Sequence, residues 1–160
     1  YSLREIPEDL LEVGLRTVKA FNIRSRFFHL EYFRTADDRL IALEVNMRPP
    51  GGLTTDMYNY ANDIDIYAEY ANMIVHNRFD AQVTRPYYCA YIGRKQHIAY
   101  ALSHQEVLSE FRNMLVLHQT MSPVVRSALG DYGYIVRSPD LQDILRAEQT
   151  ILAVQNRDRQ

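Results

Sequence analysis

Cysteine is almost missing from this sequence: the 160 residues contain one, Cys89. A lone cysteine cannot close an internal disulfide. With no signal peptide and no long apolar run, the sequence predicts a chain of the reducing cytoplasm without a membrane span. An excess of either charge is also missing. The formal net charge is −2, so nothing points to nucleic acid or a membrane surface as partner. No metal-ligand spacing joins His76, His97, His104 and His118, and each reads as a surface or capping residue. Cys89 sits in the apolar run 87–92 with no base or cation cluster beside it, which reads as a buried thiol rather than a nucleophile. The first residue is Tyr1 rather than Met, which fits a chain cut from a longer one.

What is present is enough apolar material for a core. Hydrophobic residues make up 47% of the chain, sufficient for one ordinary domain or two small ones. The chemistry concentrates in residues 27–52, FFHLEYFRTADDRLIALEVNMRPPGG. A hairpin closed around Ala36, Asp37, Asp38 and Arg39 pairs Thr35 with Leu40, Arg34 with Ile41, Tyr32 with Leu43, Leu30 with Val45 and Phe28 with Met47. That leaves one face apolar nearly throughout. The other face carries His29, Glu31 and Phe33 on one strand and Ala42, Glu44, Asn46 and Arg48 on its neighbour, with Glu31 opposite Glu44 and His29 opposite Asn46. Like charges across a ladder repel unless both are solvated, one is protonated, or a cation lies between them. The same alternation also describes the solvated side of any antiparallel sheet. The strand's exit favours a site: Glu-x-Asn-x-Arg runs into Pro49, Pro50, Gly51 and Gly52, where prolines stop the ladder and glycines let backbone approach a ligand. Two carboxylates and an amide oxygen are hard ligands that suit magnesium or manganese.

HLEYF, a short turn, then LIALEVNMRPPGG resembles the metal-binding hairpin of the ATP-grasp superfamily, in which an acidic residue on one strand precedes Glu-x-Asn on the next. The resemblance covers residues 1–77 and implies a carboxylate-amine ligase, or a relative of the carbamoyl-phosphate-synthase large subunit. Such an enzyme phosphorylates a carboxylate with ATP and passes the acyl phosphate to an amine-type nucleophile. It implies Glu31, Glu44 and Asn46 as ligands of the Mg2+ or Mn2+ that bridges the ATP phosphates, and Arg48 as the catalytic residue that meets the phosphoryl group. Backbone amides of Gly51 and Gly52 would receive the acceptor carboxylate or the intermediate. His29 would orient a carboxylate or contact substrate, with a supporting structural role as its other reading. The family's phosphate-clamping lysines, glycine-rich lid and adenine-binding strand have no counterpart before Glu31. The expected partners are therefore ATP, a small carboxylate and the missing N-terminal half of the same enzyme, with the fragment alone inactive and the oligomeric state, a homodimer included, left open. Three other readings stay in view: a ligase half acting on bicarbonate, as in carbamoyl-phosphate-synthase-like or biotin-carboxylase-like proteins; a non-catalytic assembly module; and a small-anion binding domain using Arg48, Gly51 and Gly52.

The expected fold class is α+β: an antiparallel sheet packed with helices, the C-terminal part of an ATP-grasp fold over residues 1–80, and a small mixed α/β subdomain over 81–160. The first helix starts near Pro7 and turns a core stripe of Leu11, Leu15 and Val18 toward Leu30, Tyr32, Leu43 and Val45. A short helix through residues 57–60 and a longer one over 64–76 follow, the latter with Ile66, Tyr70 and Ile74 inward. Asn59, Asn62 and Asp63 are read as caps or as pocket residues. The pattern breaks over 79–85. A strand over 86–92, a turn at Gly93 and Arg94, and a returning strand over 96–102 come next. Ser103 and Glu106 are spaced as a capping box. Strands are expected over 114–120, 124–129 and 132–136, then a helix capped by Ser138 with Pro139 in its first turn, and a charged tail over 156–160. The twelve tyrosines read as packing rather than base-stacking residues.

Overall fold

A computed structural model describes residues 1–155; the charged tail lies outside them. In chain order the elements are α1 (Glu8–Ala20), β1 (His29–Arg34), β2 (Leu40–Asn46), α2 (Thr54–Asn62), α3 (Ile66–His76), β3 (Tyr88–Arg94), α4 (His104–Glu110), β4 (Leu115–Thr120), α5 (Arg126–Leu129), β5 (Tyr132–Ser138) and α6 (Leu141–Leu152). Two compact units result. A hairpin unit holds Glu5–Thr55 and Ile64–Val83; a second unit holds Tyr1–Arg4, Asp56–Asp63 and the chain from Thr84 onward.

In the hairpin unit β1 and β2 pair antiparallel, with His29 facing Asn46, Leu30 facing Val45 and Glu31 facing Glu44, as the alternation predicts. Nearer the turn the register differs from expectation. A bulge follows Glu31, so Tyr32 faces Ala42, Phe33 faces Ile41 and Arg34 faces Leu40, and Leu43 is the extra residue. Ala42 therefore shares a face with Tyr32, and Ile41 replaces it beside Phe33. The turn is held by Thr35, whose amide donates to the Arg39 carbonyl at 2.9 Å and whose hydroxyl accepts from the Arg39 amide at 3.0 Å. Helix α1 lies over the Leu30 and Tyr32 face: the Tyr32 hydroxyl donates to Thr17 Oγ1 at 2.7 Å, and a Cβ on Gly14 would stand 4.0 Å from Leu30. The packed stripe is Leu10, Val13, Gly14, Thr17 and Val18, one step round the helix from the expected one. Leu11 and Leu15 are exposed, at 45% and 61%. In α3 the inward positions likewise shift. Glu69 is buried and accepts from the Asp80 amide at 2.8 Å, while Ile74 is 66% exposed.

The second unit is built on a three-stranded antiparallel sheet of order β3-β5-β4. Ala90, Ile92, Tyr134 and Val136 on one face meet Val107 and Phe111 around α4 and Ile144, Ala147 and Ile151 of α6, and these form the core. On the other face Arg137 lies against the Tyr87 ring and donates to the Tyr60 carbonyl at 3.1 Å and to Asp63 at 2.9 Å. Ser2 bridges to Cys89 at the free edge of β3. The Ser103 and Glu106 capping box is present.

Four expectations for this unit are corrected. Gly93 and Arg94 do not turn the chain; β3 runs through them and Gly93 pairs with Gly133, which the Tyr91 ring covers so closely that a Cβ would come within 2.6 Å. Residues 96–102 are then not a strand, since β5 has taken the place beside β3; Tyr100 makes only an isolated bridge to Val154. Residues 124–129 form a turn and α5 instead of a strand, with Val124 88% exposed: a short apolar run does not by itself choose between helix and strand. At α6 the cap is Asp140, which accepts from the Gln142 amide, and Ser138 instead ends β5 and accepts from the Asp140 amide. Among the described residues no helix is long and apolar enough to cross a membrane.

Candidate metal and phosphate site

Alternation along the first part of β1 and the last part of β2 brings His29, Glu31 and Glu44 together on one face, their ligand atoms all within 4.8 Å of one another. The Nε2 atom of His29 stands 3.7 Å from Glu31 Oε1 and 3.8 Å from Glu44 Oε1. Neighbouring oxygen ligands about 2.1 Å from a magnesium ion lie roughly 3 Å apart in its octahedral shell, so Glu31 and Glu44 are near enough to share an ion once their side chains draw closer. The two carboxylates are half exposed and His29 is largely covered, at 12% side-chain exposure. No lysine or arginine side chain pairs with either glutamate among the described residues, so the repulsion across the ladder is left to solvent, to a proton on His29, or to a cation.

His29 is fixed by its neighbours. Its Nδ1 lies 3.0 Å from the Arg48 carbonyl, which can only accept, so Nδ1 carries the hydrogen and donates. In the neutral ring Nε2 then offers a lone pair, and it accepts from Asn46 Nδ2 at 3.1 Å. The Asn46 amide nitrogen is thereby engaged on the ring. Its oxygen is the atom that could serve a cation.

The loop after β2 holds the remaining expected residues. Arg48 is exposed and donates to its neighbour's carbonyl at Pro49, 3.0 Å away. A Cβ on Gly51 would meet nothing within 4 Å, so open space surrounds that backbone. Gly52 has φ 65°, a left-handed conformation that glycine adopts freely. The Thr55 hydroxyl donates to the Pro50 carbonyl at 3.1 Å and ties the loop to the start of α2. Beside the loop is a cavity of about 330 Å³ lined by Phe27, Pro49, Pro50, Gly52, Thr55, Ile66, Tyr67 and Tyr70. Helical spacing assigned Tyr67 and Tyr70 to packing and gave no sign of this cavity; the Phe27 ring, edge-on to Tyr70 at 5.2 Å, builds its wall. Asn62 and Asp63, the other pocket candidates, are used inside the second unit: Asn62 Nδ2 donates to the Tyr58 carbonyl, and Asp63 pairs with Arg137.

No family model and no curated protein matches the sequence. The fold does have a solved counterpart. N5-carboxyaminoimidazole ribonucleotide synthetase from Thermotoga maritima superposes with a TM-score of 0.61 over 95% of this chain, at 17% sequence identity. The chain spans 44% of that protein's length. In fold the chain thus matches the C-terminal part of an ATP-grasp fold, antiparallel sheets packed against helices, as the hairpin's resemblance implied.

Proposed function

We propose that this chain is the C-terminal part of an ATP-dependent carboxylate-amine ligase and that its hairpin supplies the divalent-metal site. The observation that carries the reading is the clustering of His29, Glu31 and Glu44 within 4.8 Å on one sheet face. The fold match to a synthetase supports it. In this reading residues 1–80 complete the catalytic domain and residues 81–160 are the accompanying small subdomain.

The donor set fits Mg2+ or Mn2+: Glu31 and Glu44 give hard anionic oxygens and Asn46 its amide oxygen, while His29, with both ring nitrogens hydrogen-bonded, supports them. When bound, the ion neutralises phosphate charge and holds ATP in line with its acceptor. This chain's residues do the rest. Glu31 and Glu44, opposite each other on a rigid ladder, keep the ligand atoms at fixed separation. His29 locks that arrangement to the loop through the Arg48 carbonyl. Arg48 reaches the transferring phosphoryl oxygens, where a planar fork of donors stabilises charge that a point cation matches less well. The free space at Gly51 admits the acceptor carboxylate to backbone amides. The γ-phosphoryl group passes from ATP to a carboxylate oxygen with release of ADP, and the amine then attacks the acyl carbon, expelling inorganic phosphate and losing a proton. A second reading, with bicarbonate as the carboxylate, is favoured by the counterpart's name, which specifies a carboxyamino product.

The test is acceptor-dependent ADP release by the protein containing this chain and the preceding half, with ATP, magnesium, and pooled amino acids or bicarbonate. Release stimulated by one pool and abolished in Glu44→Gln is expected. A folded protein whose Glu44→Gln form matches the parent would overturn the metal role, and no release from any pool would move the weight to an assembly or anion-binding function.

A further inference from the structure

A second cavity, of about 430 Å³, opens in the unit that follows Thr84, among residues the ligase reading does not use. Its wall carries three cations, Arg94, Lys95 and Arg126, and three tyrosines, Tyr100, Tyr132 and Tyr134. Arg94 is 7% exposed, and no carboxylate pairs with it among the described residues. Its Nε donates to the Ile151 carbonyl at 2.8 Å and its Nη1 to the Leu102 carbonyl at 2.9 Å, while Nη2 is buried without an acceptor. The Tyr100 ring lies 4.4 Å from the guanidinium carbon and the Tyr134 ring 5.8 Å. A guanidinium stays charged, so this one is compensated by carbonyl dipoles and π faces instead of an anion. Part of that is structural. Ile151 is in the last turn of α6, where carbonyls lack helical partners and a cation is favoured. That role uses neither Nη2 nor the cations at Lys95 and Arg126.

The wall has one carboxylate, Asp131, and it is engaged. Its Oδ2 accepts from the Gln96 amide at 2.9 Å, and Oδ1 lies 4.0 Å from Arg126 Nε, which itself donates to the Met121 carbonyl. His104 shares a hydrogen bond with the Tyr134 hydroxyl at 2.8 Å, and His118 with that of Tyr132 at 2.6 Å. Burial first, then His118 and Arg94, pull the His104 ring below the ordinary imidazole value, so it is neutral at neutral pH. Three cations against one carboxylate leave the wall positive. A pocket of this size is within the range of about 300–1,000 Å³ that small-molecule sites occupy.

We infer that this cavity binds a small organic anion, its phosphate or carboxylate group held at Lys95 and Arg126 in the field of Arg94, and its ring or apolar body against Tyr100 and Tyr132. The site does not depend on the metal hairpin. The experiment is a titration of isotope-labelled protein, in chelator and without divalent metal, with AMP, adenosine and inorganic phosphate as probes, following amide resonances over residues 94–100 and 131–134. Saturable AMP shifts there are expected, with adenosine at least about tenfold weaker, the discrimination that roughly 1.4 kcal/mol of oxyanion contact gives. Lys95→Gln, at an exposed position, and Arg126→Gln should each weaken AMP about fivefold, and Arg48→Gln should leave it unchanged. No saturable AMP shift, equal binding by AMP and adenosine, unaltered affinity in the Lys95→Gln, Arg126→Gln double variant, or loss of binding in Arg48→Gln would each overturn the assignment.

Discussion

His29 has two ring nitrogens and both are committed, Nδ1 to the Arg48 carbonyl and Nε2 to the Asn46 amide nitrogen, beside the glutamate pair. It therefore connects the ligand face to the loop that carries Arg48. Removing such a supporting donor from a metal site typically costs about 10- to 100-fold in metal affinity, so His29→Ala should weaken Mn2+ binding by that factor, measured by titration; unchanged affinity would assign His29 to packing alone. Cys89 is a contrasting residue. Fully buried in β3, its thiol is pushed up to about 12 by burial, against smaller opposing effects of Arg137 and the N-terminus. It holds its proton at neutral pH. Iodoacetamide at neutral pH should leave the native protein unmodified and label it once it is denatured; stoichiometric native labelling would contradict the inert thiol.

At the scale of elements, close backbone approach sets the cost of substitution. A Cβ at Gly93 would lie 2.2 Å from the Leu129 carbonyl oxygen, which is backbone and cannot rotate away. Gly93→Ala should destabilise by about 3 kcal/mol, read from denaturant unfolding, and a loss under about 0.5 kcal/mol would contradict the geometry. Helix α4 gives a pH-dependent case. Glu106 is held below the ordinary carboxylate range by the Ser103 hydroxyl and, secondarily, by the Ser103 amide. Its ionised form favours folding, so the contribution is full above the unfolded value and is lost as pH falls through the depressed native one. Glu106→Ala should be destabilised at pH 7, with the difference from the parent shrinking as pH falls through the depressed native value; a constant difference would rule out the ionic part. These elements also mark what the sequence makes legible. Capping-box spacing at Ser103 and Glu106 and the alternation that opposes Glu31 to Glu44 are local signals, and they survive folding. The bulge at Leu43, the shifted stripe on α1, the loop over 96–102 and the cap at Asp140 are not local: each depends on which distant segment packs there, as β5 does beside β3. The aromatic cavity at Tyr67 and Tyr70 was hidden for the same reason, because spacing shows a helical face and not its occupant.

Across the whole molecule, apolar burial is uneven. Every hydrophobic side chain in the fully buried set belongs to the second unit, whereas the hairpin unit leaves Leu15, Phe33, Leu43, Ile74 and Val75 more than half exposed. Burying one such side chain contributes about 1.5–3 kcal/mol, so the hairpin unit of this chain alone should open more readily. Hydrogen exchange should show amides of β5 protected well beyond those of β1 and β2, and equal protection would contradict this. The cation site at Glu31 and Glu44 ties these scales together. Its most direct test is Mn2+ titration of isotope-labelled protein, which needs no substrate. Saturable paramagnetic broadening centred on residues 29–31 and 44–46 is expected, abolished by Glu44→Gln with the remaining spectrum intact. Broadening that is absent, spread over the surface, or undiminished in Glu44→Gln would mean that the paired glutamates are simply the solvated face of a sheet.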